Sequence, residues 1–120
     1  MLVVFDPTVV GYAELVATFF DVHDPTQGMR QGNDIGTQYR SGLYYVDDQQ
    51  QRVAEQAVRV LTDTLVERGY GRVTTELAPL GQFYYAEAQH QQYLAKHPNG
   101  YRCHSTTVVS FPREVLAAAL

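Results

Sequence analysis

One pattern constrains the fold of this chain more than any other: an apolar stripe with a member at every fourth position. Its members are Val53, Ala57, Leu61 and Leu65, with Ala54 and Val58 beside them. This spacing predicts a long amphipathic helix with one buried face. Asp47 suits its N-cap, and Gly69 suits a left-handed cap at its C-terminus. A helix of this kind needs other elements to cover its apolar face.

Shorter patterns predict those other elements. Aromatic and aliphatic residues recur at helical spacing over residues 11–22, and this helix should end before Asp24-Pro25 because the residue before proline leaves the helical region. Apolar and β-branched runs predict strands at residues 2–5, 43–46 and 72–77.

The remainder of the chain carries weaker signals. We expect an extended loop over residues 78–85, a short helix over 86–96, weak strand character at 104–111 and a terminal helical turn at 113–120. Because strands and helices alternate, the 120 residues should form one domain in which helices pack on a small sheet.

The composition describes a soluble domain of a reducing compartment, by default the cytoplasm. Hydrophobic residues make up 45% of the chain, and no apolar run reaches membrane-spanning length. The net charge is −4, and the cations are Lys96 and eight scattered arginines, so no basic stripe is available for nucleic acid. Cys103 is the one cysteine and cannot form an intramolecular disulfide.

Residues 28–42, GMRQGNDIGTQYRSG, form an unusual polar segment between two apolar ones. A glycine costs about 1 kcal/mol in a helix relative to alanine, so the glycines at 28, 32 and 36 predict a loop. Irregular segments of this length in compact domains are typically functional or disordered. Asp34 and Tyr39 either hydrogen-bond a polar ligand or satisfy backbone groups of the loop. The residues alone leave both interpretations open.

Two other groups of side chains invite a chemical interpretation. His90, His97 and His104 are seven apart, but a Pro-Asn-Gly turn separates them and the metal interpretation is not favoured. Cys103 lies beside His104 in a turn-rich segment, which suits either a reactive thiol or an incidental cysteine. The aromatic residues 83–85 suit either a pocket wall or a core anchor.

Three stretches together resemble the peptide-methionine (S)-S-oxide reductases, the A-type methionine sulfoxide reductases. They are VVFDPTVVGYAELV, FFDVHDPTQGMRQGNDIGTQYRSGLYY at 19–45 and FYYAEAQHQQYLAKHPNGY at 83–101. The resemblance implies an α+β fold, a two-layer α/β sandwich with a ferredoxin-like core. It also implies reduction of the S epimer of methionine sulfoxide, free or in proteins, without a bound cofactor and with thioredoxin as the electron donor.

The same resemblance assigns roles to individual residues. Asp34 and Tyr39 match the family's active-site loop, in which the tyrosine donates a hydrogen bond toward the sulfoxide oxygen and the aspartate shapes the polar network. Gln38 is assigned to substrate binding with them. Cys103, which follows NGY, resembles the resolving cysteine found in part of the family.

The departures from the family pattern are equally specific. The family's nucleophile lies in a GCFW motif, followed by a GY.GG stretch and by a glutamate in an AE element just before the strand that opens this chain. This sequence contains no GCFW motif, no GY.GG stretch and no AE element at that position. We therefore expect a C-terminal portion of such an enzyme that lacks the first strand and helix and is nearly inactive alone. Two alternatives are a non-catalytic module that binds oxidised peptide and one piece of a split enzyme. Self-association through an exposed sheet edge is a further expectation.

Overall fold

Helices form the core of the protein. The computed structural model describes residues 1–100 and 109–120. The helices are α1 (Tyr12–Asp21), α2 (Asp48–Glu67), α3 (Tyr93–Lys96) and α4 (Arg113–Ala119). Facing residues of α1, α2 and α4 share one buried cluster with the segment just before α4. Its members are Val16, Ala17, Phe20, Ala57, Leu61, Leu65, Val109, Phe111 and Leu116. The helices predicted at 11–22, after Asp47 and near the C-terminus are confirmed.

The ends of α2 follow the predicted capping chemistry. The Asp47 carboxylate accepts a hydrogen bond of 2.8 Å from the backbone N–H of Gln50, which satisfies one of the unpaired donors of the first turn. Gly69 adopts φ +84°, and the next N–H, that of Tyr70, donates back to the Leu65 carbonyl at 2.8 Å. A left-handed residue therefore ends the helix, as glycine permits.

Four short strands form two separate pairs. Strands β1 (Arg30–Gln31) and β2 (Asp34–Ile35) make an antiparallel hairpin, and β3 (Gly42–Tyr45) lies parallel to β4 (Glu76–Pro79). The strand predicted at residues 43–46 is confirmed with a shift of one residue. Parallel strands require a crossover connection, and α2 supplies it. The result is an α+β arrangement of helices and small sheets.

The strand predicted at residues 72–77 begins later than expected. Thr74 directs its N–H to the Pro25 carbonyl at 2.8 Å, so that segment is bonded to another loop rather than to a strand. Pairing starts at Glu76 and continues to Pro79, into residues expected to be loop. Local β-propensity marks a segment as suitable for a strand, but the available partner determines where the ladder lies.

Three other predictions fail. Residues 2–5 form no strand, because their backbone pairs with neither edge of the two-stranded β3–β4 sheet. The helix expected over 86–96 is reduced to α3, since Gln92 has a left-handed conformation of φ +55° that interrupts helical geometry. A strand was expected at residues 104–111. Residues 109–111 pair with no strand, and residues 104–108 lie outside the described residues.

Candidate functional site

The glycine-rich segment 28–42 is folded more regularly than its composition predicts. A two-residue hairpin, β1 and β2, is followed by a 3-10 turn at Thr37–Tyr39. The Gly36 N–H donates to the Met29 carbonyl at 2.9 Å and closes the hairpin. Gly36 has φ +148°, a backbone conformation that residues with a Cβ rarely adopt, so this turn favours glycine. The expectation of an irregular loop is therefore wrong.

Asp24 organises the segment that supports this loop. Its carboxylate accepts hydrogen bonds from the Thr26 N–H at 2.9 Å, the Thr26 hydroxyl at 2.6 Å and the Gln27 amide at 2.9 Å. Burial raises the pKa of Asp24, but these hydrogen bonds and the neighbouring His23 outweigh burial, and the pKa is lowered overall. The carboxylate is therefore a charged anchor at neutral pH.

Two glutamines connect that anchor to the hairpin. Gln31 accepts from the Asp24 N–H at 3.1 Å and donates to the Asp24 carbonyl at 2.9 Å, while Gln27 accepts from the Gly32 N–H at 2.9 Å. Side-chain amides thus serve as surrogate backbone partners for a loop that has few ladder bonds. The HDPTQ and RQG motifs of the sequence form one hydrogen-bonded unit.

The predicted site residues lie on this unit. Asp34 is in β2 and half-buried, Gln38 is exposed, and Tyr39 ends the 3-10 turn with 40% of its surface exposed. The Tyr39 phenol can donate one hydrogen bond and the Asp34 carboxylate can accept several. These three residues come together on one loop, whereas Cys103 lies outside the described residues.

A chain of three hydrogen-bonding side chains ties the loop to the core. His23 Nδ1 lies 2.7 Å from the Phe19 carbonyl, which can only accept, so Nδ1 carries the proton. His23 Nε2 therefore accepts from the Ser41 hydroxyl at 2.7 Å, and Ser41 Oγ lies 2.8 Å from Thr75 Oγ1. Ser41 is buried, so it serves as a structural link between α1, β3 and the segment before β4. Sequence reasoning missed this chain because its members are 18 and 34 residues apart.

We expect the stability of the chain to depend on pH through His23. Burial lowers the pKa of His23, and the hydrogen bond to Phe19 and the charge of Asp24 offset this only partly. His23 therefore binds a proton more readily in the unfolded chain than in the folded one. The stability that neutral His23 contributes is fully present above about pH 6.5, the ordinary pKa of histidine, and is lost as the pH falls below that value. Denaturant unfolding at pH 7 and pH 5 measures the loss.

The matched control for that measurement is His23→Gln, which retains a polar group without titrating and leaves the other histidines in place. Asp24 does not interfere, because a lowered carboxylate pKa affects stability only below about pH 4. An equal loss of stability in the variant and the parent would contradict the assignment to His23.

A separate apolar cleft of about 1100 Å³ lies beside the loop. Its walls are residues 1–5, one face of α1, residues 42–44 and 46, and residues 79–84. Phe83 and Tyr84 line it, which supports the pocket interpretation of that aromatic run. Asp34, Gln38 and Tyr39 are not part of its lining. The cleft and the polar loop are therefore distinct surfaces, joined at His23 and Gly42.

Tyr12, in the wall of this cleft, carries an unsatisfied hydroxyl. Its oxygen is buried and has no hydrogen-bond partner among the described residues, and burial together with Asp47 raises its pKa. Because an unpaired buried polar group is unfavourable, Tyr12→Phe should raise the free energy of unfolding by about 1 kcal/mol. Chemical denaturation measures this change. Tyr44→Phe, which removes a hydroxyl bonded to Glu76 at 2.8 Å, should show no such gain.

Within residues 1–100 and 109–120, no group of three or more His, Cys, Asp or Glu side chains is arranged to bind a metal ion. In the same residues, no helix has both the length and the apolar character needed to cross a membrane.

Solved structures identify the class to which this fold corresponds. Methionine sulfoxide reductase A of Corynebacterium diphtheriae matches with a TM-score of 0.76 at 47% identity, covering 90% of this chain and 56% of that one. Mxr1 of Saccharomyces cerevisiae in its reduced form matches with a TM-score of 0.70 at 38% identity, covering 82% and 52%. The α+β prediction is confirmed, and the fold is that of methionine sulfoxide reductases.

Sequence comparison agrees. The family model for peptide methionine sulfoxide reductase matches residues 1–116. Peptide methionine sulfoxide reductase MsrA 1 of Caulobacter vibrioides is 61% identical over 101 residues, which are 84% of this chain and 46% of that protein. MsrA of Azorhizobium caulinodans is 54% identical over 119 residues, 99% of this chain and 55% of that protein. The chain belongs to the peptide methionine sulfoxide reductase family, and it spans about half the length of these relatives.

Proposed function

We propose that residues 1–120 form the substrate-facing part of a reductase that repairs methionine S-sulfoxide, free or in proteins. The observation that carries the proposal is the folded loop 28–42, in which Asp34 and Tyr39 stand on a hydrogen-bonded support within a chain matched to the family over residues 1–116. The Tyr39 phenol would donate to the sulfoxide oxygen, and Asp34 would order the polar groups around it.

The full reaction requires groups beyond this loop. A cysteine thiol attacks the sulfoxide sulfur, an acid protonates the departing oxygen, and methionine leaves while the cysteine becomes a sulfenic acid. A second thiol then forms a disulfide with release of water, and a thioredoxin dithiol restores both thiols in a reducing compartment such as the cytoplasm. Cys103 is the one cysteine in this sequence, and we assign it the second, resolving role. On this proposal the chain alone recognises the substrate without turning it over.

Calorimetry with an oxidised and an unoxidised methionine peptide tests the recognition step. The chain should bind the S-sulfoxide peptide in preference to the unoxidised one, and Tyr39→Phe should weaken binding of the sulfoxide about fivefold, the value of one hydrogen bond. Tyr84→Phe, at an exposed tyrosine in the wall of the apolar cleft, is the control and should change nothing. Equal affinity for the two peptides would contradict the proposed recognition of the sulfoxide.

A further inference from the structure

The loop 28–42 gains little of its shape from apolar packing. No residue from 28 to 40 is buried, and the nearest buried residues are Pro25 before the loop and Ser41 at its end. A segment with few buried apolar contacts opens easily unless polar contacts hold it. The polar contacts at the two ends of the loop therefore decide where its side chains stand.

Thr74 holds the residues that precede the loop. Its N–H donates to the Pro25 carbonyl at 2.8 Å, and its hydroxyl oxygen lies 3.1 Å from the carbonyl oxygens of both Pro25 and Gln27. A hydroxyl has one proton, so the two carbonyls share it. The Gln27 side chain in turn accepts from the Gly32 N–H at 2.9 Å. Thr74 is thus connected to the hairpin that carries Asp34.

The next two residues hold the end of the loop. Thr75 Oγ1 lies 2.8 Å from Ser41 Oγ, and the Glu76 N–H donates to the Ser41 carbonyl at 2.9 Å. The Glu76 carboxylate accepts from Arg40 Nε at 2.9 Å, and Arg40 Nη1 donates to the Thr37 carbonyl at 2.7 Å. One guanidinium therefore joins Glu76 to the first residue of the 3-10 turn.

The segment 74–76 is itself fixed on both sides. Val73 packs against the buried core cluster, and Leu77 pairs with Leu43 in the parallel ladder. Successive Cα atoms are 3.8 Å apart, so the Cα atoms of Thr74 and Glu76 are separated by at most about 8 Å. Both ends of the loop therefore meet one short segment that the core and the sheet hold in place.

The contact between Glu76 and Arg40 suits a local role better than a global one. The two side chains are 44% and 39% exposed, and exposed ion pairs contribute little to the stability of a fold. The pair nevertheless joins residues 36 positions apart and grips the turn through Thr37. Its removal should displace the turn without unfolding the chain.

We propose that Thr74 and Glu76 are positioning residues for the candidate site. Thr74 fixes the hairpin that carries Asp34, and Glu76, acting through Arg40, fixes the 3-10 turn that ends at Tyr39. The short segment between Thr74 and Glu76 thereby sets the separation of the two side chains without contacting the substrate. The inference deepens the proposed recognition of methionine sulfoxide and rests on it.

The first test needs no substrate and measures amide hydrogen exchange residue by residue with NMR. Thr74→Val removes the hydroxyl but keeps the N–H, and should speed exchange at Gly32 about fivefold, the value of one hydrogen bond. Thr74→Ser restores the hydroxyl and should restore the protection of the parent. Thr64→Val, which removes a hydroxyl bonded to the Val60 carbonyl within α2, is the matched control and should leave the loop unchanged.

Glu76→Ala should act on the other end of the loop. It should speed exchange at Tyr39 and Arg40, whose N–H groups donate to the Gly36 and Thr37 carbonyls at 3.0 Å and 3.3 Å. Glu55→Ala removes an exposed carboxylate bonded to Gln51 on α2 and is the matched control. Exchange within α2 should be the same in Glu76→Ala as in the parent, because α2 reports the stability of the whole fold.

The second test is calorimetry of the same variants with the S-sulfoxide peptide. Thr74→Val and Glu76→Ala should each weaken binding about fivefold, the value of one hydrogen bond that is no longer aligned. Thr74→Ser and the two control variants should bind like the parent. Recovery with serine separates the hydroxyl from the general effect of changing the residue.

Three results would overturn the inference. The first is unchanged exchange in the loop of Thr74→Val and Glu76→Ala. The second is faster exchange throughout α2 or outright unfolding, which would make the residues general contributors to stability. The third is faster exchange in the loop with undiminished affinity for the sulfoxide. A parent chain that does not prefer the sulfoxide would instead contradict the proposed function, and the exchange data alone would then decide whether Thr74 and Glu76 hold the loop.

Discussion

Residues 1–120, given thioredoxin and a methionine S-sulfoxide peptide, are expected to turn over at least about a thousandfold more slowly than full-length Caulobacter vibrioides MsrA 1. The reaction needs an attacking thiolate, an acid for the oxygen and a second thiol. This sequence contains one cysteine, and it has neither the family's GCFW motif nor an AE element just before its first strand-like segment. A positioned acid alone accounts for about 10²- to 10⁴-fold in rate, and a missing nucleophile removes the covalent step altogether.

The measurement is thioredoxin-coupled consumption of reducing equivalents, with chromatographic detection of the methionine peptide. Cys103→Ser is the informative variant. Turnover by the parent at rates near those of the relative, abolished in Cys103→Ser, would show that Cys103 attacks the sulfoxide itself and would contradict the resolving role. Turnover near the parent level in both chains would point to a contaminating enzyme.

The helical part of the fold is largely contained in local sequence. The four-residue stripe of α2, its Asp47 cap and the glycine after it each act within a few residues, and the structure reproduces all of them. Likewise, Phe20 on the predicted face of α1 is buried and stacks on Phe111 with ring centroids 5.8 Å apart. Helical periodicity and capping can be predicted from the sequence because the residues that interact are neighbours in the chain.

The strands were less predictable because their partners are distant. Residues 2–5 have the composition of a strand but line the apolar cleft without pairing, whereas Pro79 ends a strand that propensity would not place there. The His23, Ser41 and Thr75 chain has the same origin, since each polar side chain looks unremarkable until the fold brings it to the others.

Identical local sequence can also carry different roles. The tripeptide Asp-Pro-Thr occurs at residues 6–8 and again at 24–26, and in both the carboxylate accepts from the threonine N–H at 2.9 Å and from its hydroxyl at 2.6 Å. The second copy alone is joined to a hairpin, through Gln27 and Gln31. Sequence shows the turn twice and does not show which copy supports the site.

This pair of turns supports a sharp prediction about the loop. Asp24→Ala should increase the rate of tryptic cleavage at Arg30 and Arg40 about tenfold or more. The substitution removes three hydrogen bonds to a charged acceptor, each typically about 1.5–3 kcal/mol, and leaves Gln27 without its orienting partner. The hairpin then opens more often, and cleavage follows the population of the open form when reclosing is fast.

Asp6→Ala is the matched control, because it deletes the same turn at a fully exposed position with no link to the hairpin. Its cleavage pattern should equal that of the parent, with fragments identified by mass spectrometry at early times. If both substitutions accelerate cleavage at Arg30 equally, Asp24 contributes only a generic turn and the support assigned to it is wrong. Asp24→Ala could instead be the only substitution that accelerates cleavage, and it could also weaken binding of the sulfoxide peptide. That result would show that the Asp24 carboxylate links the order of the loop to recognition, because Asp34 and Tyr39 lie on the segment that Asp24 holds.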